Sequence, residues 1–73
     1  MRPASPVPLY HLSRALLETG QLDESDTQVR KALTLSPSAG MAASLHMQIG
    51  MAAYIRKDDQ AALASFDEAL RLD

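Results

Sequence analysis

Apolar residues recur at spacings of three and four through most of the chain, and this spacing places them on one face of an α-helix. In the first such run, Leu9, Leu12 and Leu16 precede Gly20, which interrupts the pattern. We predict a first helix over about residues 8–19, because a proline at its start is tolerated in the first helical turn.

The second run begins after this glycine. Leu22, Val29 and Leu33 supply its apolar side, and two acidic residues follow Leu22 where the positive end of a helix dipole favours negative charge. Pro37 disfavours helical geometry at the residue before it and therefore ends this second helix.

Two further helices are predicted in the second half of the chain. Ser38 is a good N-cap for a helix from Ala39 to about Arg56. A polar turn then leads to a last helix over about residues 59–72, for which Asp58 is the expected cap. No stretch shows the alternation that is typical of strands, so the predicted fold class is all-α.

The two halves of the chain repeat one pattern. Corresponding positions lie 37 residues apart, and they include Leu12 and Ile49, Gly20 and Lys57, Ala32 and Ala69, and Leu33 and Leu70. We infer two copies of one helical hairpin.

These hairpins resemble the tetratricopeptide repeat (TPR) family, whose unit is a pair of helices about 34 residues long. The resemblance rests on Ile49, Gly50, Ala53, Tyr54, Ala62, Phe66, Ala69 and Leu70 in the second hairpin, and on Leu12, Leu16, Gly20, Leu22, Ala32, Leu33 and Pro37 in the first. It implies two helix-turn-helix TPR hairpins, four helices in all, stacked as a short right-handed α-α superhelix fragment. The second hairpin is the closer to the family pattern.

Small residues are expected where the helices of each hairpin touch. Gly50 and Ala62 take these places in the second hairpin, with Phe66 filling the space beside them. Ser13 and Ser25 take them in the first and are small enough to keep the close approach.

The expected organisation is an extended proline-rich lead over residues 1–7, a first repeat over 8–37 and a second over 38–73. The period exceeds that of the family by about three residues, which must lie before the core of the second repeat. Either the third helix begins about one turn early near Ser38, or the linker is longer.

Charge and composition exclude several classes of function. The formal net charge is -2, and the seven Lys and Arg residues are scattered rather than gathered into the basic stripe of a nucleic-acid reader. No apolar run is long enough for a membrane span, and there is no Cys for a disulfide or a thiolate metal site. We expect a cytoplasmic chain that binds neither nucleic acid nor membrane.

No arrangement of residues indicates catalysis. His11 and His46 lack the further ligands that zinc needs, and the serines have no base at activating spacing. The acidic pairs at 58–59 and 67–68 are typical of a turn and a solvated helix face. We therefore predict no catalytic residue, no metal and no cofactor: the chain is not expected to be an enzyme.

The resemblance implies a peptide groove lined by the first helix of each repeat. The implied groove residues are Tyr10, His11, Arg14, Leu17, Met47, Gln48, Met51, Tyr54 and Ile55. The groove residues of the second repeat are unusually apolar for a surface, which favours an apolar or amphipathic peptide or helix, because Met adapts its shape to a ligand. The groove residues do not match the Lys, Asn and Arg clamp by which some family members grip a C-terminal carboxylate. The alternative for the two methionines is packing on neighbouring helices.

The last helix has an apolar face that a further repeat would cover. Leu63, Leu70 and Leu72 form this predicted assembly face, since repeat proteins usually need about three units. We expect a protein or peptide partner and a homodimer or larger homo-oligomer. The alternative is a regulatory TPR segment of a larger enzyme or transcription factor, and the end of the chain at Asp73 favours a piece of a longer protein.

Overall fold

Four helices make up the part of the chain that the structure, a computed structural model, describes, which is residues 5–73. They are α1 Val7–Glu18, α2 Leu22–Leu33, α3 Ala39–Ile55 and α4 Asp59–Leu72, and residues 5–73 contain no strand. The predicted all-α class and the two helical hairpins are confirmed. Of the predicted extended lead, residues 1–4 lie outside the described residues, and α1 starts at Val7.

Both hairpins turn through a residue in the left-handed backbone region. Gly20 has φ 81° in the first turn, and Lys57 has φ 63° at the corresponding place in the second. In the first turn the amide of Gln21 donates to the carbonyl of Leu16 at 2.8 Å, and the corresponding bond in the second turn measures 2.9 Å. These bonds satisfy carbonyl groups that the helix end would leave without a partner.

Side-chain caps fix the starts of α3 and α4. The Ser38 hydroxyl accepts a hydrogen bond from the amide of Met41 at 3.2 Å, and the Asp58 carboxylate accepts one from the amide of Ala61 at 3.2 Å. Because α3 begins directly after Ser38 and has 17 residues against 12 in α1, the extra residues of the second repeat lie in the helix rather than in a linker.

In the first hairpin, two buried serines lie where α1 and α2 touch. Ser13 and Ser25 are both fully buried. The Ser25 hydroxyl donates to the carbonyl oxygen of Ser13 at 2.9 Å, and the Ser13 hydroxyl donates to the carbonyl of Tyr10 at 2.7 Å. Both hydroxyl donors are therefore satisfied inside the hairpin, which removes most of the cost of burying them.

In the second hairpin, a glycine and an aromatic ring take over this role. Gly50 and Ala62 are buried. A Cβ atom on Gly50 would lie 2.5 Å from Cε1 of Phe66, so the ring occupies the space that the missing side chain leaves. The predicted packing of Phe66 beside Gly50 is confirmed.

The two hairpins join through α2 and α3. Val29, Ala32 and Leu45 are fully buried and form the centre of the core at this junction. Partly buried apolar residues surround them, among them Leu33 and Ile49. The junction thus depends on a few side chains.

One arginine also spans this junction. The guanidinium of Arg56, at the end of α3, donates to Asp23 at 2.6 Å and to Asp26 at 2.8 Å, both on α2. The hydrogen bond that Arg56 donates to Asp26 raises the pKa of Arg56 above its ordinary value, so the guanidinium keeps its charge.

Candidate functional site

A cleft of about 400 Å³ opens between α1, α3 and the C-terminal end of α4. Its lining residues are Tyr10, Arg14, Leu17, Glu18, Ala43, Ser44, Met47, Gln48, Met51, Ala69, Leu70 and Asp73. A cleft of this volume lies within the usual range of ligand pockets, which is about 300–1,000 Å³.

Exposed apolar side chains form two walls of the cleft. Met47 and Met51 lie one turn apart on α3 and are 42% and 45% exposed. Leu70 contributes from α4 and is 73% exposed. Long apolar side chains that remain this exposed have area to bury against a ligand, and Met adjusts its rotamers to fit one.

Charged residues lie beside this apolar surface. The guanidinium of Arg14 lies 4.0 Å from the carboxylate of Glu18, and both side chains are exposed, so this ion pair contributes little to stability. Asp73 adds a second carboxylate from the end of α4. Among the lining residues there is one cation against two acidic groups.

A buried amide also lines the cleft. Gln48 is 5% exposed, and none of the hydrogen bonds found between residues 5–73 involves its side chain. An amide carries both a donor and an acceptor. Gln48 can therefore offer a hydrogen bond to a polar group that enters the cleft.

The structure brings together some of the groove residues that the sequence implies. Tyr10, Arg14, Leu17, Met47, Gln48 and Met51 all line the cleft. Leu17 and Gln48 are buried, whereas the two methionines are exposed. His11, Tyr54 and Ile55 are exposed but lie outside the lining. The ring of His11 instead packs edge-on against Tyr10, with 5.4 Å between the ring centroids.

Several lining residues were not predicted. Ala43 and Ser44 lie one turn before Met47 and Gln48 on the same face of α3, so the helical spacing of the sequence contained the signal for both. Ala69 and Asp73 come from α4, where no sequence pattern indicated a groove.

The three leucines of the predicted assembly face lie along α4 but differ in their surroundings. Leu63 is 62% exposed and lies in a second depression of about 360 Å³, which Tyr54, Asp59, Ala62 and Phe66 also line. Leu70 lines the cleft, and Leu72 is half-buried. The face of α4 is therefore exposed over much of its length.

Two properties of the described residues bear on other classes of site. Within residues 5–73, His, Asp and Glu side chains do not gather in groups of three or more that would suit a metal ion. No helix in this part of the chain combines the length and apolar character needed to cross a membrane.

Residues 8–38 match the family model of the tetratricopeptide repeat, a range that covers most of α1, all of α2 and the linker to α3. The first hairpin therefore matches the tetratricopeptide repeat, and the predicted resemblance to this family is confirmed there. The match falls on the hairpin that the sequence analysis placed further from the family pattern. No curated protein and no solved structure matches the chain.

Members of this family generally act as non-catalytic modules for protein-protein interaction. The repeat thus indicates an interaction scaffold.

Proposed function

We propose that the chain is a non-catalytic scaffold whose cleft binds an apolar or amphipathic peptide or helix of a partner protein. The observation that carries this proposal is the pair of exposed methionines, Met47 and Met51, facing a cleft that Leu70 borders from another helix. Burial of apolar surface stabilises a complex by about 25 cal/mol per Å² before the costs of association.

The charges of the cleft favour one kind of peptide over another. Arg14 already lies near Glu18, and Asp73 adds a further negative charge. An acidic peptide tail would meet these carboxylates, whereas a Lys or Arg beside apolar residues would find a partner in them. The expected ligand is therefore an amphipathic peptide with at least one basic residue.

Peptide-array screening of the full chain tests this proposal. We expect apolar and amphipathic peptides with a basic residue to be selected, and their affinity to be measured by fluorescence anisotropy. Met51→Glu should weaken binding at least about tenfold, because it places a charge against the apolar side of the peptide. Ala64→Glu is the matched control, since Ala64 is exposed on α4 and lies outside the cleft.

The opposite selection would contradict the proposal. A preference for acidic C-terminal tails, or an affinity that Met51→Glu leaves unchanged, would mean that the cleft is not the peptide site.

We also propose that the chain self-associates through exposed leucines of α4. Leu63 and Leu70 support this, because large apolar side chains exposed on one helix commonly mark an interface. The cytoplasmic location stays a prediction.

A further inference from the structure

The internal repeat supplies a template for what covers the exposed faces at the two ends of the molecule. A shift of 37 positions takes α1 onto α3 and α2 onto α4. Inside the chain, α3 packs on α2. The face of α2 that packs against α3 therefore corresponds to a face of α4. In the same way, the face of α3 that packs against α2 corresponds to a face of α1.

The face of α4 that corresponds to the covered face of α2 is apolar and exposed. Val29 is fully buried on α2 and Leu33 is half-buried, both at the junction with α3. Their counterparts are Phe66, which is half-buried, and Leu70, which is 73% exposed. The same pattern of residues is thus covered in one repeat and open in the other.

The face of α1 that corresponds to the face of α3 packed against α2 is also apolar and exposed. Leu45 is fully buried against α2, and Ile49 packs beside it. The corresponding residues of α1 are Pro8, which is exposed, and Leu12, which is 45% exposed. The chain therefore has two open faces. The one on α1 corresponds to the α3 side of the internal junction, and the one on α4 corresponds to its α2 side.

The positions on the two open faces that correspond to the ion pair of the internal junction are both uncharged. At the internal junction the negative Asp26 meets the positive Arg56 at 2.8 Å. The corresponding residues at the open ends are Leu63 on α4 and Thr19 just after α1. Both charges are lost together, so joining the two faces would bury no unpaired charge at this place.

The geometry points to a second copy of this chain as the occupant: α1 of one copy docks on α4 of the next as α3 docks on α2. This inference rests on the self-association proposed above and adds its arrangement. The contact joins two different faces, so repeated copies form an open row or a closed ring rather than a two-fold dimer.

Sedimentation velocity on the full chain and on two variants tests the arrangement. Leu12→Glu blocks the α1 face and Leu63→Glu blocks the α4 face, and both positions are exposed in the single chain. We expect the unmodified chain to grow in mass with concentration and each variant alone to stay monomeric. An equimolar mixture of the two variants should form a dimer and nothing larger, because each retains the face that the other lacks.

A two-fold contact through α4 gives a different result. Leu12→Glu would then still self-associate, and the mixture of variants would form no heterodimer; either result overturns the head-to-tail arrangement. An unmodified chain that stays monomeric at every concentration would overturn it together with the proposed self-association.

Ala64→Glu is the matched control on α4. Its counterpart Thr27 stays exposed although α2 is covered by α3, so a charge at 64 should leave self-association unchanged. Far-UV circular dichroism checks that each variant keeps its helices, and if a Glu variant loses them, Leu12→Gln and Leu63→Gln replace the pair with the same expected outcomes.

Peptide binding is measured separately on monomeric Leu12→Glu. If Leu12→Glu keeps its affinity for the selected peptides but the mixture of the two variants forms no heterodimer, only the head-to-tail arrangement is wrong. If the mixture forms the heterodimer but Leu12→Glu binds none of the selected peptides, only the peptide proposal is wrong.

Discussion

The two hairpins bring their helices together through different side chains at corresponding positions. In the first, Ser13 and Ser25 are buried and linked by a hydrogen bond of 2.9 Å. In the second, Gly50 and Ala62 leave a space that the ring of Phe66 fills. The crossing of the two helices therefore requires small residues, and either polar or apolar side chains meet this requirement.

The difference extends to the residue beside the crossing. Val29 in the first hairpin is fully buried because α3 covers it, whereas Phe66 in the second is half-buried and has no covering helix within residues 5–73. We therefore expect the stability of the second hairpin to depend strongly on Phe66, and that of the first hairpin to depend more on its packing against α3.

The largest expected effect comes from removing that side chain. Phe66→Ala should lower the free energy of unfolding by about 2–3 kcal/mol, below the usual range for a fully buried ring because part of Phe66 is exposed. Urea unfolding followed by circular dichroism measures this. Leu63→Ala on the same helix is the control and should cost far less, and equal costs would contradict the role of the ring.

Filling the space beneath the ring should also destabilise the second hairpin. Gly50→Ala places a Cβ 2.5 Å from Cε1 of Phe66, and the resulting strain exceeds the gain in helix propensity, for a net cost of about 1–2 kcal/mol. Gly40→Ala on the same helix has nothing within 4 Å of its Cβ and should instead stabilise by up to about 1 kcal/mol. Thermal unfolding of both variants checks the opposite signs, and a stabilising Gly50→Ala would show that the ring yields at no cost.

In the first hairpin, the corresponding test removes a hydrogen bond. Ser25→Ala loses the bond to the carbonyl of Ser13 and should cost about 1 kcal/mol. Thr27→Ala is the control, because its hydroxyl also bonds a backbone carbonyl but is exposed, and it should cost less. Equal costs in urea unfolding would mean that the buried bond contributes no more than the exposed one.

The smallest expected effect concerns the two turns. Gly20 and Lys57 both have positive φ, a conformation that costs a residue with a Cβ about 1 kcal/mol more than glycine. Lys57→Gly should therefore stabilise the second hairpin by about 0.5–1 kcal/mol, and Gly20→Lys should destabilise the first. A rise in melting temperature for the first variant and a fall for the second check this, and no change in either would contradict it.

Local patterns of the sequence were enough to predict the helices and their caps Ser38 and Asp58. The small residues at 13, 25, 50 and 62 and the place of Phe66 followed from the resemblance to the tetratricopeptide repeat. Such features depend on residues within one helix or one hairpin, where the chain itself limits the geometry.

Contacts between the hairpins could not be predicted in this way. The bonds from Arg56 to Asp23 and Asp26 join residues about thirty positions apart. Because the first repeat has Thr19 where the second has Arg56, the internal repeat did not indicate an ion pair here. Leu70, which was expected on the assembly face, also borders the cleft because the end of α4 lies beside α3, and no sequence pattern indicated this second position. These features depend on how the helices pack and not on periodicity.

We propose above all that a partner covers the apolar faces that the two packed hairpins leave exposed. Multi-angle light scattering of the unmodified chain over a wide range of concentrations tests it most directly. We predict a mean mass that lies above the 7.9 kDa of one chain and rises with concentration. A well-folded chain with the mass of a monomer at every concentration would contradict it.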